Sequence, residues 1–203
     1  MFRFTTFLRD LATIRTALIL SAIFFAAGIA AGWGTTGPIQ EILVKEIQTL
    51  GQAAEQMRNS DQPELNFFIF IFLNNAIKSL IVMFAGIVLG IIPFVFLAIN
   101  GMVIGFLLHM ISDNGGNLSE IIFKGLLPHG IIEIPVLLIA SAYGMVLGAL
   151  VIKSIVPGAD RGDPIKQKWK VTWRKTGTAS LWIVILLFLA AIIESTITLW
   201  LMS

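Results

Sequence analysis

Cysteine is absent from the 203 residues, which excludes disulfides, thiolate zinc sites and cysteine nucleophiles together. Charge is sparse: 14 Lys and Arg stand against 12 Asp and Glu, and the net +2 is too small for a nucleic-acid footprint. The two histidines cannot make a three-histidine metal site. There is no His-Glu-x-x-His, no Gly-x-Ser-x-Gly and no phosphate loop, so neither catalysis nor a cofactor is expected.

What the chain has is grease. At 57% hydrophobic residues and a mean hydropathy of +0.89, nearly every element is apolar all round, with charge confined to connecting stretches. Membrane lipid, not water, is the expected solvent. A hydrocarbon core of about 30 Å needs roughly 20 apolar helical residues. Stretches at 17–34, 67–92, 94–111, 121–152 and 179–202 supply five spans. The expected fold is all-α, a polytopic transmembrane bundle in one domain. Arg3, Arg9 and Arg15 precede the first run, which is expected to stay as a span and not to be removed as a signal.

Two spans carry punctuation. Pro93 separates the second from the third with almost no loop, which predicts a tight hairpin or kinked pair. Pro128 and Pro135 interrupt the fourth, which predicts a short lead-in helix, a break near Pro128 and then the span proper. Between the first two spans, Ile39, Ile42, Leu43, Ile47, Leu50, Ala54 and Met57 repeat at helical spacing. That pattern predicts an amphipathic helix over about 38–59, with Pro38 in its first turn and Pro63 beyond its end.

Arg3, Arg9 and Arg15, together with Lys153, Arg161, Lys166, Lys168, Lys170, Arg174 and Lys175, fall on one side of a five-span layout. By the positive-inside rule that side is cytoplasmic, which puts the N-terminus in and the C-terminus out. The opposite side receives Lys45 and Arg58 against Glu41, Glu46, Glu55, Asp61 and Glu64. Trp169 and Trp173, set among lysines in the inner loop 153–178, suit an interfacial anchor.

Glycines four apart recur in the first four spans: Gly28 and Gly32, Gly86 and Gly90, Gly101 and Gly105, Gly144 and Gly148. In lipid such stripes let helix backbones approach closely, either within one chain or between two copies of a homo-oligomer, a dimer being the simplest. Lys78, His129, Glu133 and Glu194 sit inside spans, where an acid or lysine at the centre costs about 3 kcal/mol. Counting from the outer ends puts Lys78 and Glu133 at similar depth, so an ion pair is expected, with Asn74 and Asn75 at the same level. His129 and Glu133, four apart, share a helical face. They fit a proton or cation relay, half of a metal site completed by a second copy, a contact for another subunit, or a hydrogen-bonded pair that fixes register. His109 lies near the outer end of the third span and is expected to be interfacial.

The string Gly125-Leu126-Leu127-Pro128-His129-Gly130-Ile131-Ile132-Glu133-Ile134-Pro135, followed by Ala140-Ser141-Ala142-Tyr143-Gly144, resembles the stage II sporulation protein M family of prokaryotic membrane proteins. Asn74, Asn75 and Lys78, the Gly86 and Gly90 pair, and Asn100-Gly101 with Gly105 carry the likeness further, over about 66–148. Val136 stands where a smaller residue is expected. The resemblance implies a multi-span protein of the cytoplasmic membrane. It also implies a scaffold holding peptidoglycan-hydrolase or other envelope partners, as the sporulation member does, although many relatives belong to organisms that do not sporulate. No catalytic residue transfers with it. The alternative is a channel or transporter for an ion or small polar solute using the Pro128–Pro135 break, since interrupted helices with midplane ionisable residues mark transport sites.

Overall fold

Apolar runs with no proline or turn cluster inside them wind into helices, because in lipid every backbone N–H and C=O must be satisfied within its own segment. In a computed structural model that describes residues 2–156 and 163–198, almost the whole chain follows that rule. Side chains at 124–126, 128, 129, 163, 197 and 198 are outside the description. The elements run α1 (Phe4–Thr13), α2 (Arg15–Trp33), α3 (Pro38–Arg58), α4 (Pro63–Ala85), α5 (Ile91–Asp113), a single turn α6 (Leu118–Glu120), a π-helix π1 (Ile121–Leu126), α7 (Leu127–Ile155), α8 (Asp163–Ile193) and a second π-helix π2 (Glu194–Thr198). α2, α4, α5, α7 and α8 are long and apolar enough to cross a membrane. The protein is a five-span, all-helical membrane bundle.

Pro38 and Pro63 open α3 and α4, where a missing N–H costs nothing. Pro93 behaves differently from the expectation: it lies within the first turn of α5 and is not the divider between spans. The chain reverses instead at residues 86–90, where Leu89 (φ 54°) and Gly90 (φ 74°) both take left-handed backbone, a conformation that ends one helix and starts the next. The break expected near Pro128 is also not an unwound segment. Helical winding continues from Leu118 to Ile155, and the wide π1 turn comes immediately ahead of the Pro128 position, whose backbone has no N–H to donate to an α-helical bond. Pro135 lies inside α7 with the helix intact around it.

α7 is the hub. It touches α2, α4, α5 and α8, and buries Val136, Ala140, Ala142, Tyr143, Met145 and Leu147. The other spans turn faces of Ile19, Ile23, Ile81, Val95, Ile99 and Leu189 outward to lipid. Phe188 of α8 meets Phe68 and Phe72 of α4 edge-on at 5.3 and 5.5 Å, which fills the gap between those two helices.

All four glycine stripes are used inside the chain. A Cβ on Gly28 or Gly32 would strike the backbone of Ala98 or Met102, and one on Gly101 or Gly105 the backbone of Phe25 or Ile29. These contacts lock α2 and α5 together running parallel. A Cβ on Gly86 would strike the backbone of Gly144, and one on Gly148 the backbone of Gly90 and Gly86, which locks the end of α4 to α7. Among the described residues, an added Cβ on Gly130 would meet only Ile134 of its own helix.

Two elements exceed the expected boundaries. Residues 163–178, read from their charge as part of an inner loop, are helical and extend α8 well beyond its span. Trp169 and Trp173 stack along this extension at 6.2 Å, and Trp169 Nε1 donates to Ser154 Oγ at 3.0 Å. At the other end of the chain, α1 is a short amphipathic helix packed on α8. Phe4 lies 4.7 Å from the Trp182 ring, Trp182 Nε1 donates to the Phe2 carbonyl at 3.1 Å, and Lys175 Nζ donates to Thr13 Oγ1 at 2.8 Å beside the buried Asp10.

Candidate functional site

Depth and rotation together decide which polar side chains can meet. Asn75 and Ser79 are one turn apart on α4, Asn100 is near the middle of α5, and Glu133 is in the second turn of α7. Their faces converge on a cavity of about 100 Å³, walled otherwise by Phe25, Ile104, Ile134, Leu137 and Leu187. All five spans contribute to it. A space of that size, mostly apolar but with four polar side chains on its wall, has room for several water molecules or one small cation, with amide, hydroxyl and carboxylate oxygens as the available donors to a metal ion.

Asn75 Nδ2 donates to Glu133 Oε1, a contact between α4 and α7 that gives the carboxylate a fixed partner inside the bundle. Asn100 Nδ2 donates to the Phe96 carbonyl at 2.8 Å, one turn back on α5. That bond holds the Asn100 side chain against its own helix. Glu194, in π2, lies within electrostatic range of Glu133, so two acids from different helices approach this level of the bundle. The second π-helix begins at Glu194, while π1 ends at Leu126, about two turns ahead of Glu133.

The ion pair expected between Lys78 and Glu133 is not formed. Lys78 is rotated away on α4, exposed, and shares an open groove with Asn74, Met57 and Asn66, while Asn75 takes the place at Glu133. Of the six polar residues singled out, Asn75, Asn100 and Glu133 are therefore together and Asn74 and Lys78 are elsewhere. The side chains of Pro128 and His129 are outside the described residues. Among the described residues no group of three His, Asp or Glu could hold a metal ion. His109 is at the far end of α5, 3.3 Å from Asp113 and with its ring 5.4 Å from that of Trp33. Ser79, fully buried in the cavity wall, was not marked by sequence, where a serine four after Asn75 is the only signal.

No curated protein and no solved structure matches the chain. A family model described as Stage II sporulation protein M matches residues 21–199, from the first span through the last, and covers every helix that lines the cavity. The chain belongs to the stage II sporulation protein M family.

Proposed function

We propose that the protein is a non-enzymatic scaffold of the cytoplasmic membrane, N-terminus inside and C-terminus outside, that docks cell-envelope or peptidoglycan-hydrolase partners through α3. The observation that supports this is the incomplete use of α3's apolar surface. Only Leu43 is buried, with Val44, Ile47 and Met57 partly covered, while Ile39, Ile42 and Leu50 remain exposed beside the exposed acids Glu41, Glu46 and Glu55. Such a face suits either the outer headgroups or a partner, and the acids along it with so little positive charge favour a partner over an anionic lipid surface. The homo-oligomer expected from the glycine stripes would have to use another face, since those glycines pack within the chain.

The test replaces Ile39, Ile42 and Leu50 by serine, which leaves Leu43 and the bundle contacts in place. Affinity purification from native membranes is expected to lose envelope partners with this variant. Recovery of the same envelope proteins by parent and variant would overturn the reading.

A second reading rests on the cavity. A carboxylate, two amides and a hydroxyl gathered at mid-bilayer suit a channel or transporter for a proton, a cation or a small polar solute. Purified protein in liposomes would then pass protons or cations, and Glu133→Gln would abolish the flux. A variant as permeable as the parent would remove this reading.

A further inference from the structure

Lys78 is left unexplained by the cavity. It is exposed on the outward face of α4 and has no hydrogen-bond or ion-pair partner among the described residues. It closes one end of an open groove of about 600 Å³ that runs along α4 past Ile77, Asn74, Leu73 and Phe70 to Asn66. Those positions recur at three- and four-residue steps, the seam that one helix presents to another.

Depth limits what can reach the ammonium. At about 1.5 Å per residue Lys78 lies roughly 22 Å from the Pro63 end of α4 and roughly 10 Å from the Ala85 end. A helical side chain leans toward its own N-terminus, here up the groove and away from the nearer headgroups. The farther headgroups are well beyond a four-carbon stem. An ammonium in that position calls for an anion inside the hydrocarbon, and a carboxylate on a transmembrane helix supplies one where a phospholipid headgroup does not reach. A second copy of this chain offers no ready acid, since Glu133 is held by Asn75 and Glu194 already has an interaction of its own.

We propose that the α4 groove docks a transmembrane helix of a different protein, one carrying an Asp or Glu near the bilayer centre, with Lys78 as its ionic partner and the Asn74 amide beside it. Met57 of α3 borders the groove, but Ile39, Ile42 and Leu50, on which the α3 reading is tested, do not, so either proposal can fail without the other.

The test uses the full chain in phosphatidylcholine vesicles with a leucine-alanine transmembrane peptide bearing one central Glu, followed by energy transfer between labels. The Glu peptide is expected to bind about tenfold tighter than its Gln counterpart. Lys78→Met should erase that preference, and Lys78→Glu should transfer it to a Lys peptide. Thermal unfolding checks that both variants fold, as substitution at an exposed side chain predicts. Equal binding of the Glu and Gln peptides by the parent overturns the proposal, as does a preference that survives Lys78→Met. Lys78-dependent displacement of the peptide by phosphatidylglycerol would assign the groove to lipid and overturn it. Lys78-dependent self-association without peptide would assign it to a second copy, with the same result.

Discussion

Removing the Asn75 amide leaves the Glu133 carboxylate facing Phe25, Ile134, Leu137 and Leu187 with its partner gone. A buried acceptor deprived of its donor costs about 1–3 kcal/mol, and replacing both partners by apolar groups costs less than the sum of the single losses. Asn75→Leu is therefore expected to unfold at lower temperature than the parent in detergent, and Asn75→Leu with Glu133→Leu to recover part of the difference. Strict additivity would mean that the contact contributes no coupling. The sequence marked both residues but joined the wrong pair. Counting along helices yields depth, and at equal depth Lys78 and Asn75 are indistinguishable. They differ by about 60° of rotation about the α4 axis, which is fixed by the Gly86 contact with Gly144 and by the Phe68 and Phe72 contacts with Phe188, none of which spacing along one helix reveals.

Among the elements, the glycines divide into two kinds that stability measurements can separate. Gly86 and Gly148 face backbone that cannot move aside, so Gly86→Ala or Gly148→Ala should destabilise the bundle by at least about 1–3 kcal/mol. Gly177 in α8 and Gly51 in α3 have nothing within 4 Å of an added Cβ, and alanine there should gain up to about 1 kcal/mol from helix propensity. Detergent unfolding curves for the four variants check both signs at once. Four-residue spacing made the stripes visible in the sequence, but not which stripe met which. The helical extension at 163–178 was missed for a different reason: its lysines and tryptophans exclude it from hydrocarbon, yet charge does not end a helix, and no proline interrupts the run between Ile165 and Ala179. Likewise α1 is too short and too charged to register as a span, and its apolar face becomes meaningful only once Trp182 is beside it.

At the scale of the whole molecule the five spans were legible because hydrophobic length reports the thickness of the lipid directly. Their order then places α3 and the α8 extension on opposite faces of the membrane. With no native cysteine to interfere, single Gln52→Cys and Lys168→Cys variants can be labelled in intact cells with a membrane-impermeant maleimide. The basic-residue bias predicts that Gln52→Cys reacts at once and Lys168→Cys only after permeabilisation; the reverse pattern would invert the topology.

The contact between Phe2 and Trp182 joins positions 180 residues apart, so α1 has no resting place until α8 has been made. Until then Phe7, Ile14 and Tyr143 lack the α8 wall that covers them in the finished bundle. A chain stopped before α8 would present an unfinished seam to membrane quality-control proteases and be degraded. Two pieces divided between residues 156 and 163 and made in the same cell should find one another and persist, because the wall completed by α8 depends on adjacency and not on the peptide link.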